Sequence, residues 1–104
     1  MVNNKTFSVN FKGKKYLIKN YIVCDSIFSQ ARGLMFRPRT FRTPLLFIFK
    51  KSSKQAIHSC FVDGDFLAIW MNNGKIVDKK IVKPWKFAVT PKEKFNLLLE
   101  IPLK

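Results

Sequence analysis

Phe7, Val9 and Phe11 alternate with Ser8 and Asn10, the period of two that marks a half-buried strand. Lys12-Gly13-Lys14-Lys15 follows as a polar turn, and an apolar run resumes from Tyr16 to Val23. Residues 5–23 therefore read as an opening hairpin. The period then changes. Ile27, Phe28, Ala31, Leu34 and Met35 fall at i, i+1, i+4, i+7 and i+8, one face of a short helix. Asp25 or Ser26 is placed to cap its start, where a carboxylate also suits the helix dipole. Gly33 lies where helices commonly stop.

Beyond the helix, residues 36–44 read as a loop, because Pro38 and Pro44 forbid continuous helix or an inner strand. Leu45 to Phe49 predicts a short strand buried on both faces, and Lys50 to Gln55 a polar loop. Ala56 to Val62 and Phe66 to Met71 predict two more strands, separated by Asp63-Gly64-Asp65. Asn72-Asn73-Gly74 is a hairpin turn, since Asn and Gly tolerate positive φ, and Lys75 to Val82 completes that hairpin. Pro84 and Pro91 bracket an irregular stretch, and Phe95 to Ile101 is a final strand ended by Pro102. About seven short strands and one short helix predict a mainly β fold, a compact antiparallel β-sandwich or partly closed barrel. Residues 1–104 read as a single domain, with no repeat and no linker.

Composition sharpens this picture in two ways. With 47% apolar residues, eleven Phe and two Trp among 104 residues, the chain can build a core without a metal or disulfide staple. Its apolar runs, such as Leu45 to Phe49, are far short of a membrane-spanning helix. The N-terminus opens on polar residues with no apolar segment after them, so no secretory signal and a cytoplasmic location are expected. Cys24 and Cys60 have no CxxC spacing and sit in apolar runs, so they read as buried free thiols.

Charge changes the picture more. Twenty Lys and Arg against six Asp and Glu give +14. Residues 1–52 hold eleven bases and one acid, for +10, and residues 53–104 hold nine bases and five acids, for +4. Such a chain attracts polyanions, which points to nucleic acid, a ribosome or an anionic membrane surface, while a Lys-rich bias that only solvates the surface is the alternative.

Candidate chemistry is sparse. His58 is the lone histidine. On a strand it shares a face with Cys60, about 6.5–7 Å away along the backbone, which is loose for a Cys–His pair. His58, Cys60 and Cys24 fall short of the four ligands a structural zinc wants. Asp63 and Asp65 fit a turn, and no Gly-rich phosphate loop exists. No catalytic residue, metal or cofactor is therefore assigned.

The basic residues say more. Arg32, Arg37, Arg39 and Arg42 lie within eleven residues, interleaved with Phe36 and Phe41. Arginine recognises phosphate bidentately and stacks on bases, so this loop could clamp a nucleic-acid backbone and stack an exposed base. Two structural roles stand beside that one. Phe36 and Phe41 could anchor the loop while the arginines are solvated, or Arg32 or Arg37 could hold buried carbonyls. Lys79, Lys80, Lys83 and Lys86 around Trp85 form a second basic region, in which Trp85 could also pack under a loop. The candidate binding residues are thus Arg32, Arg37, Arg39, Arg42, His58, Lys83 and Trp85.

The run Ala31-Arg32-Gly33-Leu34-Met35-Phe36-Arg37 resembles the signature of the domain-of-unknown-function family numbered one hundred and ninety-two. Leu45 to Phe49, Ile57-His58-Ser59-Cys60-Phe61-Val62, Gly74-Lys75-Ile76-Val77, Lys83-Pro84-Trp85 and Leu97-Leu98-Leu99-Glu100-Ile101-Pro102 follow in matching order, covering about residues 22–102. The Ile-His and Lys-Pro-Trp pieces resemble the archaeal branch. The resemblance implies a compact β-sandwich or barrel-like fold with a short helix, and it brings no established reaction, substrate or cofactor. Relatives tend to carry an acid near the end of the strand before the Gly74 turn, where this chain has Ile69-Trp70-Met71. Two functions follow as expectations: a non-catalytic binding module for RNA or another polyanion, or a domain with a small-anion pocket near His58 and the motif arginines.

Overall fold

The structure is a computed structural model that describes residues 6–26, 30, 33–38 and 40–103. Seven strands follow in chain order: β1 (Phe7–Phe11), β2 (Lys14–Ile18), β3 (Ile22–Cys24), β4 (Leu45–Ser53), β5 (Phe66–Asn72), β6 (Lys75–Val82) and β7 (Phe95–Pro102). β1 and β2 form an antiparallel two-stranded sheet closed by Lys12-Gly13, with φ of 50° and 78°. β5 and β6 are closed in the same way by Asn73-Gly74, with φ of 51° and 85°. Positive φ at both central residues gives a turn whose twist matches that of the strands.

The second sheet has five strands in the order β3-β4-β7-β5-β6, open among the described residues. β3 runs parallel to β4 and the other pairs are antiparallel. β5 and β7 take the middle because their consecutive apolar residues, Phe66 to Met71 and Leu98-Leu99, suit strands covered on both faces. On one face Leu46, Leu67, Ile69, Met71, Leu99 and Ile101 pack against Val9, Ile18 and Tyr21, from the hairpin and the residues after it. On the other, Phe47, Phe66, Ala68, Trp70 and Leu98 are covered by Leu34, Phe41, Val62 and Val89 from loops. Each fully buried Leu or Phe contributes about 1.5–3 kcal/mol.

The mainly β, seven-strand expectation holds, with three local corrections. The run from Tyr16 to Val23 divides into β2 and β3 around Lys19-Asn20, and β3 joins the larger sheet. β4 continues through Lys50 to Ser53, which the polar composition suggested was loop; an irregular register between Ile48 and Ser53 carries it along β7. Ala56 to Val62 is not a strand. Apart from one bridge, Ile57 to Val89, its backbone bonds go to loops, and Phe61 has a φ of 61° that no strand admits.

The short helix expected from the positions Ile27 to Met35 lies mostly outside the described residues, and the described Leu34 and Met35 lie in a turn. Gln30 is helical and its N–H donates to the Ser26 carbonyl at 2.9 Å. Gly33 has a φ of 48°, the left-handed conformation common just past a helix end.

Candidate functional site

Three loops meet above the loop-covered face of the large sheet, and a single serine ties two of them. Ser59 is fully buried. Its N–H donates to the Lys86 carbonyl, and its own carbonyl accepts from Trp85 and Val62. Its Oγ donates to the Lys83 carbonyl and accepts from the Lys86 N–H. The third loop joins through Phe36, whose N–H donates to the Phe61 carbonyl at 2.9 Å.

This backbone network presents aromatic rings to solvent. Phe36 stacks on Phe61 with centroids 4.8 Å apart, and Phe61 meets Trp85 edge-on at 4.7 Å. Phe36 is 68% exposed, Phe61 50% and Trp85 53%, and Phe87, two residues after Trp85, is 80% exposed. Phe36, Phe61 and Trp85 have φ of 62°, 61° and 64°. For bulky residues this conformation costs about 1–2 kcal/mol each. Strain of this kind persists where surrounding structure holds it, and it clusters at functional sites. The expectation that Trp85 packs under a loop is therefore corrected: the loop carries the ring at its surface.

The basic candidates divide. Arg37 donates from Nε to the Gly33 carbonyl at 2.9 Å and lies over the Phe41 ring at 4.3 Å. That is the carbonyl-holding role weighed from the sequence. Arg42 donates to the Phe41 carbonyl at its exposed position. Phe41 anchors the loop against the core while Phe36 does not. Arg32 and Arg39 lie outside the described residues. Lys83 is exposed, 3.6 Å from Asp65, and the exposed Lys86 adjoins Trp85. Lys79 and Lys80 are drawn elsewhere, donating to the Asn10 and Thr90 carbonyls.

His58 is exposed and lies on a loop, not on a strand beside Cys60. Its Nδ1 accepts the Cys60 N–H at 3.2 Å, which leaves Nε2 to carry the proton of the neutral ring. His58 also lines a cavity of about 330 Å³. Arg37 and Arg42 line a separate and far smaller one, so the described residues do not bring His58 and the arginines into one pocket. Both cysteines are free; Cys24 is buried as expected and Cys60 only partly. Burial, with the Glu100 charge next in weight, pushes the Cys24 thiol's pKa up.

Two features escaped sequence reasoning. Phe61 carries no signal, because a positive φ at a non-glycine residue has none. Glu100 had one: it interrupts the apolar run Leu97-Leu98-Leu99-Glu100-Ile101 in a strand read as core. It is 5% exposed and lines the larger cavity. Burial pushes its carboxyl pKa up to about 8, since desolvation penalises the charged form.

No family model matches the chain, and no curated protein matches it. Two crystal structures are similar in fold, each with a TM-score of 0.75 at 14% identity. One is a protein of unknown function from Novosphingobium aromaticivorans, matched over 93% of this chain and 71% of its own. The other, from Sinorhizobium meliloti, is described as "a putative transcription regulator" and is matched over 91% of this chain and 76% of its own. The chain is similar to both in its mainly β architecture.

Proposed function

We propose that this domain is a non-catalytic binding module for RNA, engaging single-stranded segments by stacking bases on Phe36, Phe61 and Trp85. The observation that carries this reading is the exposed aromatic platform, held in strained backbone conformations by the buried Ser59. Rings kept in water at such a cost suit a ligand with π-faces, and every base has one. Lys83 and Lys86 flank Trp85, and the +14 chain supplies the long-range attraction that phosphates need. A nucleic-acid partner also fits the description of the Sinorhizobium protein. The kinship with the domain-of-unknown-function family numbered one hundred and ninety-two stays a proposal alongside it, supported by the ordered motifs.

The small-anion alternative has less support, because among the described residues no Lys or Arg lines the cavity beside His58.

Fluorescence anisotropy with a labelled single-stranded RNA tests the proposal. Phe36→Ala and Trp85→Ala should each weaken binding about 5- to 150-fold, the equivalent of about 1–3 kcal/mol per stacked base. Log K should fall with log salt at about −0.7 per phosphate neutralised. Unchanged affinity in both variants, or binding insensitive to salt, would overturn it.

A further inference from the structure

The larger cavity has a composition unlike that of the basic surface around it. Its volume, about 330 Å³, is at the lower end of the range of small-molecule sites, about 300–1,000 Å³. Its walls are mostly apolar, with Phe47, Phe49 and Phe66 contributing aromatic rings. The exposed Gln55, Ala56 and His58 place its mouth at the loop following β4. Glu100 lies in its wall, on the central strand β7, opposite Leu45 on β4 and Ala68 on β5. Among the described residues no ion pair and no hydrogen-bond donor meets its carboxyl.

A nine-tenths-buried carboxyl without a partner is costly to ionise unless a positive group completes it. Among the described residues lining the cavity most are apolar, Gln30 is committed elsewhere, and Gln55 and His58 stand at the mouth. The Gln30 side-chain amide donates to the Cys24 and Ile48 carbonyls at 3.2 and 2.7 Å. Gly33 sets its Cα beside Glu100, where a Cβ would stand 3.7 Å from Oε1.

We infer that this cavity binds a small organic cation, an ammonium or amidinium group carried on an apolar body, with Glu100 as its counter-ion. The cation's N–H groups supply the charge-assisted hydrogen bonds that the carboxylate lacks. The apolar body fills the hydrophobic wall, and the Phe faces attract positive charge. An anion finds no described Lys or Arg there, and a neutral ligand gives the ionised form of Glu100 no compensation. The surface charges that repel a cation at long range are screened within about 8 Å at physiological salt. Cation binding here is independent of RNA binding at the platform, so either can fail alone.

Binding requires an ionised Glu100, so it is linked to pH. Among the described residues the groups that face Glu100 are few. β3 presents Cys24, whose thiol burial keeps neutral, with Arg37 and Asp25 acting on that same thiol. β4 and β5 present Leu45, Phe47 and Ala68, and the loop after β4 presents His58.

Two-dimensional NMR titrations with benzamidinium and benzylammonium, against neutral benzamide and anionic benzoate, test the assignment. Benzamidinium should shift resonances of cavity residues. Its affinity should rise about tenfold per pH unit up to about pH 8 and then level off, as the carboxyl ionises. Glu100→Gln, nearly the same shape, should weaken cation binding at least tenfold at pH 8 and remove the pH dependence. Glu100→Asp should weaken binding yet keep that dependence. His58→Gln should keep it too, which assigns the dependence to Glu100. The inference is overturned if neither cation shifts the cavity resonances, if benzamide or benzoate binds as tightly, or if folded Glu100→Gln binds benzamidinium unchanged.

Discussion

Ser59 shows how much one small side chain can organise. Its hydroxyl satisfies both the Lys83 carbonyl and the Lys86 N–H, two backbone groups of the loop that carries Trp85. Ser59→Ala leaves both without that partner, at about 1–3 kcal/mol for a buried group. Thermal unfolding should show this loss directly. RNA affinity should fall as well, because the Trp85 ring would no longer be held against Phe61. The serine was legible as a candidate for neither role. Its sequence neighbours, Ile57 to Val62, carry the composition of a strand, and composition does not encode the left-handed turn at Phe61 that breaks the strand. Arg37 is the converse case. Holding a carbonyl was one of the roles weighed for Arg32 or Arg37, and Arg37 does donate to the Gly33 carbonyl.

At the scale of elements, β5, β6, β7 and both hairpin turns were legible, because period, apolar runs and Asn-Gly or Lys-Gly turns all agreed there. The ends of β4 and β3 were not. Lys50 to Ser53 carries no apolar alternation and forms strand only because β7 runs alongside, a tertiary effect that local composition cannot carry. The parallel pairing of β3 with β4 is invisible for the same reason, since it depends on how the intervening twenty residues cross over. That crossover docks through Gly33. A Cβ there would stand 3.2 Å from Cζ of Phe47, and the φ of 48° already disfavours any side chain. Gly33→Ala should therefore destabilise the fold by about 1–3 kcal/mol, measured by urea denaturation, from left-handed strain and displacement of the Phe47 ring. A variant as stable as the natural chain would show that the segment does not seat against β4 as described.

For the whole molecule, charge and burial act in different places. The surplus of bases is concentrated in residues 1–52, while Glu100 lies in the core. Glu100 has a folded pKa of about 8 against an ordinary value of 4.5. Between those limits the native state holds a proton that the unfolded chain has released, so stability falls as pH rises through this window. The contribution is fully present below pH 4.5 and lost above pH 8. Its full span is on the order of 3–5 kcal/mol. Unfolding free energies of the natural chain and Glu100→Gln, measured from pH 4 to 9, should diverge across the window in favour of the variant. Parallel curves would remove the buried charge from the account.

The central claim is that the rings of Phe36, Phe61 and Trp85 stack on bases. Of the two tryptophans, Trp70 is fully buried and Trp85 half exposed, so intrinsic fluorescence reports the platform directly. Titration with a single-stranded oligonucleotide, while anisotropy of a labelled strand follows binding, should quench the Trp85 emission in step with occupancy. The quench should vanish in Trp85→Phe although that variant still binds. Saturated binding with Trp85 emission unchanged would contradict the account, because the strand would then be held by charge alone.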